Sequence, residues 1–270
     1  RLKQLLENDV FVGSISGAVG SYASFFGRGR EVEKAVLKEL GLAVPNISWQ
    51  PSRDRFSEFA SVLGIFSGTL GKIGRELFTL MKTEIDEVHE PFKKGEVGSS
   101  TMPQKRNPAL IEGLASLTQP VFKDVDLMFQ SLLIDGERDA IHWRNEWVAL
   151  PEITSYLDAQ IVNATYILSE LKVNQDKMLD NLNKQGALPY SERIMFEVGL
   201  KLGKQTAHEI VYQAAMTALE ENKDFIDLVY SDERVRLNFT KEDILSWVDP
   251  KNNIGECLEK VDEVLSQVTI

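Results

Sequence analysis

Apolar residues between Ser57 and Glu90 recur in alternating steps of four and three: Phe59, Leu63, Phe66, Leu70, Ile73, Leu77 and Leu80. This heptad-like seam predicts one long, straight bundle helix rather than a short globular one. At a rise of 1.5 Å per residue the segment would run roughly 50 Å. A second run carries Leu110, Leu114, Leu117, Val121, Val125 and Met128 on one face. Pro120 lies inside it and predicts a kink there. A third helix is predicted over 153–171, after Pro151, on Leu157, Ile161, Ala164, Ile167 and Leu168. Strand alternation is nearly absent. The pattern predicts an all-α fold, an elongated bundle of long helices joined by short connections. Such helices expose more apolar face than one bundle buries, so association through them is expected. The alternative is an intramolecular bundle that stays monomeric.

The rhythm changes around Lys184–Pro189. Beyond it, shorter helices are predicted over 191–202, 205–220, 224–231, 241–248 and 254–267, separated by polar turns. A domain boundary is therefore expected there, with a central long-helix domain over 1–184 and a smaller helical domain over 185–270. The sequence contains no internal repeats or low-complexity tracts.

Composition narrows the classes. With 43% hydrophobic and 26% charged residues the chain is not of disordered type. No apolar run is long enough for a membrane span, and the opening RLKQLLENDV lacks the features of a signal peptide. A lone Cys257 and three scattered histidines suggest no disulfide and no metal cluster, and fit a reducing, cytoplasmic setting. Thirty Lys and Arg against 41 Asp and Glu leave a net charge of −11, which argues against nucleic acid as a partner. An anionic ligand would need a local basic site working against that overall field.

One segment breaks the helical rhythm. Residues 93–108 hold two glycines, two prolines, hydroxyl side chains and four cations between two long helices. Such a loop can cover a site, and its backbone amides with Lys105, Arg106 and Asn107 make an anion cradle. On composition alone, a solvated basic turn that ends one helix and starts the next is an equal alternative. The string Gly98-Ser99-Ser100-x-Met102-Pro103-x-Lys105-x-Asn107-Pro108 decides between them. It resembles the signature loop of the fumarase/aspartase superfamily. Further stretches resemble its adenylosuccinate lyase and 3-carboxy-cis,cis-muconate cycloisomerase branch: 14–20, Arg53-Asp54-Arg55, Glu137-Arg138-Asp139, Leu150-Pro151 and Tyr190-Ser191-x-Arg193.

The resemblance implies a long-helix bundle, a homotetramer whose active sites each draw on three subunits, and no metal or organic cofactor. The implied reaction removes a proton beside a carboxylate, gives an aci-carboxylate dianion, and then breaks a neighbouring bond, typically releasing fumarate from a polycarboxylate adduct. A carbon acid this weak needs preorganised donors and cations in a dry site. By the same resemblance Ser99 is the base and Glu112 orients the acid histidine. Ser100, Met102, Lys105, Asn107, Arg138 and Arg53 fall at substrate-binding positions. Ser100 is the alternative base, and Glu112 can also be read as a solvated first-turn carboxylate favoured by the helix dipole. None of His89, His142 and His208 matches the acid histidine. It is expected upstream of Arg1, so the chain reads as the C-terminal part of a longer protein, inactive by itself.

Two tryptophans bear on the substrate. Adenylosuccinate lyases place a serine and a second arginine, which with the first arginine hold the nucleotide phosphate, where this chain has Trp143 and Trp147. Indoles cannot replace a hydroxyl and a guanidinium around a dianion. Spacing of four also suits bundle packing for the pair. The expected activity is a lyase acting on a di- or tricarboxylate adduct without a nucleotide, with the cycloisomerase as the nearest alternative. A catalytically silent, crystallin-like structural protein is the reading from another class, and intact Ser99, Lys105 and Asn107 argue against it.

Overall fold

A computed structural model describes residues 2–92, 101–102 and 105–268. Contacts divide the chain into two compact units, Arg1–Gln175 and Asp176–Ile270. The division falls before the polar turn at which composition changes, so the helix preceding that turn lies almost wholly in the second unit.

The first unit opens with α1 (Leu2–Leu5), a π turn over Leu6–Val10, and α2 (Gly29–Glu39). Its frame is α3 (Asp54–Leu80), α4 (Ala109–Ser116), α5 (Thr118–Gln130) and α6 (Ala140–Glu170). Two-residue strands β1 (Val88–His89) and β2 (Lys172–Val173) pair antiparallel above the ends of α3 and α6. The side-chain ties set the directions. Arg53 and Ser67 meet Glu146 and Gln160, so α3 and α6 run parallel. Ser57 meets the Met128 carbonyl and Thr118 the Ser67 carbonyl, so α5 and α4 return antiparallel between them.

The α3 seam is half of what apolar spacing predicts. Leu63, Leu70 and Leu77 are buried, but Phe66 is 37% exposed. The rest of the inner face is small: Ser57, Ala60, Gly64, Ser67, Gly71 and Gly74. A Cβ on Gly71 would lie 2.1 Å from the Thr118 Oγ1, and one on Gly74 would lie 3.0 Å from the Ala115 nitrogen. These glycines let the backbones approach, and Phe66 and Phe78 are left outside. The helix is also shorter than the apolar run suggests. It stops at Leu80, and the chain turns back through Asp86, whose φ is +58°.

The expected kink at Pro120 is a break at Leu117 instead. Pro120 then sits in the first turn of α5, where its missing N–H is least needed. Gln160 pins the joint. Its amide nitrogen donates to the Leu114 carbonyl and the Thr118 hydroxyl, while its oxygen accepts from Ser67 at 2.6 Å. In α6 the helix begins thirteen residues before the expected start, capped by Asp139, and runs through Pro151. The proline frees the Trp147 carbonyl, which lies on a residue 64% exposed to water.

The second unit comprises α7 (Gln175–Asn183), α8 (Ser191–Leu202), α9 (Lys204–Glu221), α10 (Phe225–Ser231), α11 (Glu233–Arg236), α12 (Lys241–Trp247) and α13 (Cys257–Ser266). Its core gathers Ile194 and Val198 of α8, Ile210 and Ala214 of α9, Val229 and Ile244. Asp224 and Thr240 cap α10 and α12, the latter in a reciprocal box with Asp243. Among the described residues no helix is long and apolar enough to cross a membrane.

Candidate active site

The bundle of the first unit has two ends. At its head, α3 ends, β1 pairs with β2, and α4 begins; at its foot, α3 begins and the α5–α6 turn lies. The expected site residues are distributed between these ends.

At the head, Lys105 and Asn107 are exposed on the segment entering α4. The Lys105 amide donates to the Met102 carbonyl at 3.0 Å, and the Asn107 carbonyl accepts from Ala109 at 2.9 Å. Met102 is 44% exposed. Glu112 stands in the first turn of α4, exposed, with its amide on the Pro108 carbonyl. Ser99 and Ser100 lie outside the described residues. A cleft of about 320 Å³ opens beside this segment, lined among others by Asp86, His89, Glu90, Arg106, Asn107 and Lys172. Arg106 rests 4.7 Å from the Phe92 ring centroid, so its charge is held at the foot of the loop. His89 faces Asp86 at 3.3 Å.

Glu90 went unnoticed in the sequence. Its Oε2 accepts from the Leu110 and Ile111 amides, each at 3.1 Å, at the start of α4. Burial pushes its carboxyl above the ordinary glutamate range, the backbone donors pull the other way, and neighbouring Glu112 adds to the rise. The only sequence signal is an acid immediately before Pro91, where the chain enters the glycine-containing loop.

At the foot, Arg53 is 3% exposed and fully engaged. Its Nε donates to Glu146 Oε1 at 2.7 Å and its Nη2 to the second carboxylate oxygen. The guanidinium lies 4.2 Å from the Phe56 ring centroid, 5.4 Å from that of Trp143 and 5.6 Å from that of Trp49. Trp143 in turn meets Trp147 edge-on at 6.2 Å. Arg138 is exposed on the turn leading into α6. His142 bonds Asp139 at 2.9 Å, and this bond, followed by the Ile141 amide, holds the Asp139 carboxyl below its ordinary range. The structure therefore gathers Lys105, Asn107 and Glu112 at one end and Arg53 and Arg138 at the other. Along the 27 residues of α3 that separation is roughly 40 Å. Among the described residues no three His, Cys, Asp or Glu side chains are placed to hold a metal ion.

Two family models match the chain: Lyase over residues 1–122, and Adenylosuccinate lyase C-terminus over residues 187–264. The N-acetyl-S-(2-succino)cysteine lyase of Enterococcus italicus is 53% identical over 266 residues, covering 98% of this chain and 58% of that protein. The enzyme of the same name from Dickeya dadantii is 52% identical over 265 residues, with the same coverage. A fumarate lyase structure from Mesorhizobium sp. BNC1 superposes with a TM-score of 0.88 at 29% identity, covering 98% of this chain and 59% of that one. The chain thus spans somewhat over half the length of the relatives it matches.

Proposed function

Because the chain belongs to the fumarase/aspartase superfamily, we propose that it is part of a lyase that eliminates fumarate from a succinyl thioether, with an N-acylated cysteine as the leaving group. In this reading Ser99 Oγ takes a proton from the methylene carbon of the succinyl group. The negative charge passes into the adjacent carboxylate, where Lys105 and Asn107 meet it. The bond from the neighbouring carbon to sulfur then breaks and its electron pair leaves on sulfur. A carbon–carbon double bond remains, and the products are fumarate and a thiol. A thiolate is a far better leaving group than an amine, because its conjugate acid has a pKa near about 8.5. Such a substrate asks less of the acid that must protonate an amine.

The observation that carries this reading is Trp143, whose indole stacks on a guanidinium already paired with Glu146 where a phosphate site would need a hydroxyl. That arrangement speaks against a nucleotide monophosphate, and the names of the relatives at 53% and 52% identity support a succinylated cysteine. We further propose that the whole protein works as a homotetramer. Support comes from the separation of the two sets of residues, which one copy cannot bring to one substrate.

The test uses the full-length protein. N-acetyl-S-(2-succino)cysteine should yield fumarate and free thiol in equal amounts, while adenylosuccinate and 3-carboxymuconate stay unchanged. Fumarate from adenylosuccinate at a comparable rate, or lactone from the muconate, would replace this reading.

A further inference from the structure

The start of α4 poses a question of hydrogen-bond accounting. A helix leaves its first amides without internal partners, and α4 has Pro108 at its N-cap with no side-chain acceptor. The Ala109 amide reaches the Asn107 carbonyl, and the Glu112 amide reaches the Pro108 carbonyl. The two between them, Leu110 and Ile111, are served by one oxygen of Glu90, about twenty residues earlier in the chain. The cap of α4 therefore comes from the far side of the signature loop.

Glu90 is itself well anchored. It follows β1, which pairs with β2 through Val88–Val173 and His89–Lys172. Its own amide donates to the Met81 sulfur at 3.4 Å, and the Glu87 amide donates to the Leu80 carbonyl at the end of α3. A carboxylate at a helix N-terminus also meets the positive end of the helix dipole. Glu90 thus connects a fixed platform at the loop's entrance to the helix at its exit.

We propose that Glu90 is a positioning residue that clasps the base of the signature loop and sets the placement of Asn107 and Glu112, three residues before and one residue after the pair of amides it holds. The catalytic part rests on the lyase reading above; the clasp itself does not. Releasing the first turn of α4 would let both side chains drift, and misplacement by about 1 Å can cost about a hundredfold in rate. Glu90→Gln keeps a neutral oxygen that can accept from both amides, whereas Glu90→Ala removes it.

The experiment compares these two variants in the full-length protein by amide hydrogen exchange and by steady-state kinetics on the succinyl thioether. In Glu90→Ala, exchange at Leu110 and Ile111 should accelerate at least about tenfold while amides of α6 stay protected. Its kcat should fall about tenfold or more with KM changing less, and Glu90→Gln should recover most of both. Unchanged exchange at the two amides in Glu90→Ala overturns the clasp. Unchanged kcat despite accelerated exchange overturns the positioning role, and so does equal impairment of both variants tracking a common loss of thermal stability. If no succinyl adduct is turned over by the unmodified protein, the lyase reading fails and the exchange arm still decides the clasp.

Discussion

Arg53 and Glu146 are each almost completely buried, and neither charge could remain there alone. Removing one partner leaves an uncompensated buried ion, a loss of about 3–5 kcal/mol, whereas replacing both by apolar side chains is often neutral. Arg53→Ala should therefore lower the midpoint of chemical denaturation sharply, and Arg53→Met with Glu146→Leu should restore most of it. Arg53→Lys should not, because an ammonium cannot reproduce the forked contact or the stacking on Phe56. If the double variant also keeps its kcat/KM, Arg53 acts as a structural rivet and contacts no substrate. A regain of stability with activity still lost would return it to the binding set. At the loop, Ser99→Ala should lower kcat by about 10²–10⁴, the range for a positioned acid–base group, and Ser100→Ala much less. The opposite ranking in steady-state assays would make Ser100 the base.

At the scale of elements, α6 depends on its first turn. Asp139 accepts from the Ile141 amide at 2.7 Å and from the His142 ring, and its carboxyl titrates below the ordinary aspartate range. A group with a depressed folded pKa contributes stability above its unfolded pKa and loses it as pH falls through the folded value. Acidification below the usual aspartate range should therefore fray the start of α6, seen as faster exchange at Ile141, and Asp139→Asn should flatten that dependence. An unaltered pH profile in the variant would remove Asp139 from the cap's titration. The elements also show what spacing could and could not reveal. Leu63, Leu70 and Leu77 mark the inner face of α3 correctly, because large apolar residues announce themselves. Gly64, Gly71 and Gly74 take the rest of that face by being small, which no count of hydrophobic residues registers. Of the seven α-helices described in the second unit, five are legible to within about three residues at their ends, two of them preceded by the capping residues Asp224 and Thr240, whereas α7 and α11 are not predicted. Lys105 and Asn107 were singled out by the loop string and Glu112 by its place in the helix that follows, and their nearness in the chain alone puts all three at one end of the bundle. Glu90 and the Arg53–Glu146 pair were not legible, because their partners lie 20 and 93 residues away and nothing local encodes those meetings.

The whole first unit sets Lys105 and Asn107 at one end and Arg138 at the other end of a bundle roughly 40 Å long. If one site draws on both ends, the ends must come from different copies. Co-expression of Ser99→Ala and Arg138→Ala subunits should then regain about a quarter of full activity by random assembly, although each variant alone is impaired. No regain in the mixed preparation would mean that both residues serve a site within one copy, or that Arg138 serves none. The aromatic cluster at the foot has one more consequence, and it is optical. Three of the four tryptophans, Trp49, Trp143 and Trp147, lie there, two of them against a guanidinium, while Trp247 packs on Phe239 in the second unit. With Trp247→Phe, tryptophan emission, excited selectively at the red edge of the absorption band, would come from the first unit alone, and a red shift during denaturation would time the wetting of that one corner while backbone ellipticity follows the rest.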